Sequence, residues 1–128
     1  MAPAWPLGVD MVEFKKSKAF YKAHRDRLND FLHPAETQYV ESSKKPYESL
    51  AMILSAKEAI FKSLGAPWMG TSGFRDIQVL PGKKWFSFRL KKNFQKKFLL
   101  NSAAGVSFTK SRHHVIATCH PVSPCVGI

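Results

Sequence analysis

The chain has 128 residues, 45% hydrophobic and 23% charged, with ten Phe, three Trp and three Tyr, enough apolar bulk for the core of one domain and too much for a disordered chain. Twenty Lys and Arg against nine Asp and Glu leave a formal net charge of +11, which points to an acidic partner such as nucleic acid, an anionic membrane, a phosphorylated cofactor or an acidic protein. No apolar run reaches the ~18 residues of a membrane helix, and the start lacks a basic stretch followed by an apolar one, so the expectation is a cytoplasmic protein without a membrane span.

Residues 7–14 read as a strand, with Leu7, Val9 and Met11 on one face and Asp10 interrupting the apolar run. Residues 15–25 follow as a lysine-rich helix in which Lys15, Lys16, Lys18, Lys22 and Arg25 interleave with Ala19 and Tyr21. That pattern is either a solvated basic face or a docking surface for an acidic partner. His33-Pro34 opens a short helix with proline in its first turn. Pro46 opens the main helix, which runs to about Leu64 with Leu50, Ile53, Leu54, Phe61 and Leu64 at helical spacing. It should be roughly 27 Å long, and Gly65 is placed to end it.

Residues 66–73, with Pro67, Gly70 and Gly73, read as a loop. Phe74–Leu80 and Lys84–Leu90 read as strands joined around Pro81-Gly82. Residues 91–99 are basic and ambiguous. Ala104–Thr109 and His113–Cys119 form a second hairpin, and the tail from Pro121 reads as irregular. One strand, then helices, then mostly strands predicts an α+β domain: an antiparallel sheet packed on one long helix.

Few residues carry chemistry. Asp10 inside an apolar strand is costly unless it is paired or holds a cation, and the competing reading is a strand-end aspartate bonded to one of the many lysines. Glu58 and Lys62 are one helical turn apart; alone they are an ordinary ion pair worth ~0.3–0.5 kcal/mol. Cys119-His120 with Cys125 matches no zinc spacing, and free thiols are the simpler reading. There is no zinc-finger, RNP-type or helix-turn-helix pattern, so nucleic acid is suggested by charge alone.

In combination these segments resemble a known family. Gly8-Val9-Asp10-Met11-Val12-Glu13 is similar to the opening strand of the holo-acyl carrier protein synthases, a group of 4'-phosphopantetheinyl transferases. Ser55-Ala56-Lys57-Glu58-Ala59-Ile60-Phe61-Lys62-Ser63-Leu64-Gly65 resembles their helix signature. Phe74-Arg75-Asp76-Ile77-Gln78-Val79 resembles the strand that follows, and Gly105-Val106-Ser107-Phe108-Thr109-Lys110 the last motif. The resemblance covers residues 7–119 of a single domain.

The resemblance implies transfer of the 4'-phosphopantetheine arm of coenzyme A to a serine of an acidic acyl carrier protein, dependent on magnesium and releasing 3',5'-ADP. It also implies a homotrimer with active sites between subunits. Asp10 and Glu58 match the magnesium ligands, and Glu58 and Lys62 the catalytic pair. Lys57, Lys62, Gly65, Phe108 and Lys110 fall at cofactor-binding positions, and Lys15, Lys18, Lys22 and Arg25 on the helix that docks the carrier. Two positions depart from the pattern: Phe108 stands where the last motif carries a histidine, and Ile53 where bacterial enzymes carry an arginine. They motivate an alternative, a catalytically impaired relative acting as a basic binding module for a carrier or other acidic partner.

Overall fold

The structure is a computed structural model and describes residues 7–64, 76–90 and 104–121. Among the described residues five strands and three α-helices follow one another: β1 (Gly8–Glu13), α1 (Phe14–His24), α2 (Pro34–Glu41), α3 (Pro46–Leu64), β2 (Ile77–Leu80), β3 (Ser87–Leu90), β4 (Ala104–Lys110) and β5 (His114–Pro121). A 3-10 segment, Arg25–Asp30, bridges α1 and α2. β1, β5 and β4 form an antiparallel sheet in that order, and β2 pairs with β3 in a second, two-stranded sheet. The sheets meet at one bridge, where Phe86 and Val106 exchange backbone hydrogen bonds of 2.9 and 2.8 Å.

The α+β expectation holds, and the main helix has the bounds that Pro46 and the apolar stripe predicted. α3 runs against the sheet because its stripe is buried there: Leu50, Ile53, Ile60 and Phe61 sit in one core with Val106, Ala117 and Cys119. Each such side chain contributes about 1.5–3 kcal/mol by leaving water. α2 starts as its sequence demands. His33 Nδ1 accepts the Ala35 N–H at 3.1 Å, and Glu36 Oε1 accepts the His33 N–H at 2.7 Å, a reciprocal cap ahead of Pro34.

Several expectations shift in bounds. Of the strand predicted over 74–80, residues 74–75 lie outside the described residues and β2 runs from Ile77. That over Lys84–Leu90 runs from Ser87, with Phe86 making only the bridge. The strand predicted over His113–Cys119 runs from His114 to Pro121, which belongs to β5 and not to an irregular tail. The basic helix continues into the 3-10 segment, kinked at Arg27. The loop over residues 66–73, the stretch 91–99, the tail beyond Pro121, Gly65 and Cys125 lie outside the described residues.

Candidate active site

β1 alternates as expected, but its apolar face is the outer one: Leu7, Val9 and Met11 are 63%, 51% and 57% exposed. Gly8, Asp10 and Val12 therefore occupy the face turned to α3. The approach there is close. A Cβ on Gly8 would overlap the Ala59 carbonyl and lie 2.7 Å from the Ser63 nitrogen, so only glycine lets β1 rest on this turn of α3. Those contacts bracket the turn between Glu58 and Lys62, which sets Asp10 beside both.

The three side chains converge. Lys62 Nζ donates to Asp10 Oδ1 at 3.0 Å and to the Val9 carbonyl at 3.1 Å. Asp10 is mostly covered and Lys62 about half exposed. The sequence paired Lys62 with Glu58 along the helix; the ammonium goes instead to the neighbouring strand. The Glu58 carboxyl has its pKa raised, first by burial and then by the negative charge of Asp10, with Lys62 pulling the other way. Among the described residues one ammonium thus serves two carboxylates. The donors of the site are hard oxygens: two carboxylates and a backbone carbonyl. Among the described residues no group of three or more His, Cys, Asp and Glu forms a metal cage. Two carboxylates are nonetheless what magnesium takes when phosphates and waters supply the rest, so the residues fit that ion.

Other expected site residues lie elsewhere. Lys57 points into the core. It is fully buried, its Nζ 2.8 Å from Glu36 Oε1 and donating to the Ile77 carbonyl at 2.6 Å. Burial lowers its pKa, opposed by the Glu36 carboxylate. A residue next to Glu58 on a helix points about 100° away, and here that direction is the core. The Phe108 ring packs edge-on to Phe86 at 4.6 Å and joins the core, and Ile53 is fully buried in it; both departures from the family pattern are packing residues. Lys110 shares the inner face of the sheet with Asp10. It pairs with Val115, which pairs with Val12, so it stands two strands across and two residues along, ~12 Å away by ideal spacings. It lines a cleft of about 430 Å³ with Tyr39, Ser43, Lys44, Lys45 and Ser49.

The four docking residues are exposed, Lys15, Lys18 and Lys22 along α1 and Arg25 at the start of the 3-10 segment, with Lys18 over the Tyr47 ring and Arg25 over that of Tyr21. Lys15 and Lys18 also wall a 740 Å³ cleft whose other cations are Lys44, Lys45 and Arg112. No local pattern brings residues 44–45 and 112 together with α1, so the sequence does not show this cluster. Glu36 was missed as well. Its capping-box position was legible; its burial against Lys57 was not.

The model of the 4'-phosphopantetheinyl transferase superfamily matches residues 6–119. The chain is 30% identical over 112 residues to a holo-[acyl-carrier-protein] synthase of Chlamydia caviae, covering 87% of this chain and 91% of that protein. Its fold is similar to the crystal structure of holo-[acyl-carrier-protein] synthase from Neisseria meningitidis, with a TM-score of 0.75 at 23% identity over 94% of this chain and 100% of that one. It is also similar to the Helicobacter pylori holo-[acyl-carrier-protein] synthase in complex with coenzyme A, with a TM-score of 0.72 at 22% identity over 91% and 99%. The superfamily match runs from β1 into β5 and takes in Asp10, Glu58 and Lys62, so the chain belongs to the 4'-phosphopantetheinyl transferases and, within them, to the holo-[acyl-carrier-protein] synthases.

Proposed function

We propose that this chain transfers the 4'-phosphopantetheine group of coenzyme A to a serine of an acidic acyl carrier protein, with magnesium held by Asp10 and Glu58 and 3',5'-ADP released. The observation that carries the reading is the convergence of Asp10, Glu58 and Lys62 at one contact between β1 and α3, in a chain of this family. Magnesium, when bound, supplies positive charge that lowers the cost of the diphosphate and of the charge developing on it. Lys62 is long and half exposed, so it can leave Asp10 for the diphosphate oxygens once another cation neutralises that carboxylate. The serine oxygen attacks the phosphorus that carries the pantetheine arm. The bond from that phosphorus to the bridging oxygen breaks, and 3',5'-ADP departs with the electron pair. Glu58 is the carboxylate of the cluster placed to take the serine proton.

The carrier docks on α1. No acid stands in the first turn of that helix, while Lys15 and Lys16 do, where positive charge opposes the helix dipole. Charge so placed favours an acidic partner over the helix's own stability, and the basic cleft beside it extends the patch. The homotrimer is supported by the outer sheet face, where Leu7, Val9, Met11 and Ile116 are exposed on paired strands.

The family match over residues 6–119, together with the Asp10, Glu58 and Lys62 cluster, favours the transferase over the non-catalytic alternative that Ile53 and Phe108 motivated. Incubation with coenzyme A, magnesium and an apo carrier protein tests the reading. Mass spectrometry should show the carrier serine gaining the phosphopantetheine arm, and no gain across several acidic carriers would overturn the proposal.

A further inference from the structure

Outside the reacting cluster, the most unusual arrangement in the molecule is the Glu36–Lys57 pair, two opposite charges with no solvent exposure. Every oxygen of Glu36 is engaged. Oε1 accepts the His33 N–H at 2.7 Å and meets Lys57 Nζ at 2.8 Å, and Oε2 accepts the Val79 N–H at 2.6 Å. Lys57 Nζ also donates to the Ile77 carbonyl at 2.6 Å and feels the charge of Asp76. One pair therefore joins the first turn of α2, the middle of α3 and both inward-facing residues of β2.

Stability alone does not account for it. Two charges taken from water regain their hydration only through good geometry and full hydrogen bonding, and a well-packed apolar pair often serves stability as well or better. Directional bonds supply something apolar packing lacks. Leucines let a helix rotate or slide by a fraction of a turn, whereas an ammonium bonded to a carboxylate and a carbonyl fixes the helical phase at its residue. Lys57 immediately precedes Glu58. A carboxylate standing 5–6 Å from the helix axis moves roughly 2 Å for a 20° rotation, and misplacement by about 1 Å can cost ~100-fold in rate. On its other flank the same stretch of α3 is seated on Gly8.

We infer that Glu36 and Lys57 are positioning residues: their buried ion pair sets the rotation of α3 that aims Glu58 and Lys62 at Asp10. The inference rests on the transferase reading for the use of the site, not for the geometry.

The test uses Lys57→Met and the double variant Glu36→Gln/Lys57→Met of the full chain. Lys57→Met leaves a buried carboxylate unpaired and should lower the melting temperature by about 10 °C. The double variant should recover at least half of that loss, which provides a folded protein without the charges. In it, kcat for transfer should fall tenfold or more while KM for coenzyme A stays within threefold. Amide exchange over residues 58–62 should quicken at least tenfold, with β4 and β5 unchanged. A folded double variant with wild-type kcat and wild-type exchange would make the pair structural only and overturn the inference. If the wild-type chain itself transfers nothing, the functional reading fails, and amide exchange alone then decides whether the pair holds α3.

Discussion

Glu58 joins two properties that pull against each other. Burial and the Asp10 charge hold its carboxyl above the usual glutamate range, so the folded chain binds that proton more tightly than the unfolded chain does. Its contribution favours the fold below the unfolded value of about 4.3 and is lost as pH rises through the folded value. Glu58→Gln should therefore abolish transfer and yet melt slightly higher than wild type at pH 7.5, by about 1–2 °C because the site is partly open to solvent. The two proteins should melt alike near pH 4. A Gln variant that melts lower at neutral pH would show that the ionised carboxylate is stabilised where it stands. Gly8 makes the complementary case. Any side chain there meets the Ala59 carbonyl, a backbone atom that cannot swing aside. Gly8→Ala should cost about 3 kcal/mol and lower the melting temperature by ~10 °C as β1 lifts from α3. Loss of transfer should accompany it, since Asp10 leaves with the strand.

At the scale of elements, α3 does two tasks with opposite demands. One side carries Leu50, Ile53, Ile60 and Phe61 into the core, and the edge between core and solvent carries Glu58 and Lys62. Position 53 falls on the first side. Restoring the family's arginine by Ile53→Arg would put an unpaired guanidinium at a site with no solvent exposure. The expected result is a chain that does not fold, by circular dichroism, rather than one that binds coenzyme A more tightly. A folded Ile53→Arg variant with tighter coenzyme A binding by calorimetry would place that side chain at the ligand instead.

For the molecule as a whole, the outer face of the three-stranded sheet is what a single chain leaves unused. Val9 pairs with Thr118 and Met11 with Ile116, so the exposed apolar side chains lie together in two rows. Met11→Glu should leave the far-UV circular dichroism unchanged, since the residue is exposed in the isolated chain. If the proposed trimer forms through this face, the substitution should also reduce the sedimenting species to monomer. Transfer should fall with it if active sites lie between subunits. A trimer that survives the substitution would assign the assembly to another surface.

The sequence by itself determined most of the elements and, through the family motifs, the candidate site residues. Pro46 and the stripe from Leu50 placed α3, the apolar run broken by Asp10 placed β1, residues 104–109 and 113–119 read as the hairpin that β4 and β5 form, and Asp10, Glu58 and Lys62 within the family motifs marked the candidate site. These are local signals, set by backbone conformation and by neighbours within a turn or a strand. Direction and partner were not local. Period two put Leu7, Val9 and Met11 on one face of β1 without saying that this face is the outer one. Helical spacing made Lys62 a partner of Glu58, while the ammonium is bonded across to Asp10, 52 residues away in sequence. The family resemblance put Lys57 at a cofactor-binding position; only the packing of α2 and β2 around it supplies the buried carboxylate and carbonyl that its ammonium meets. Tertiary structure decided each of these, because the energy of a charge or an apolar face is set by what surrounds it and not by the chain on either side of it.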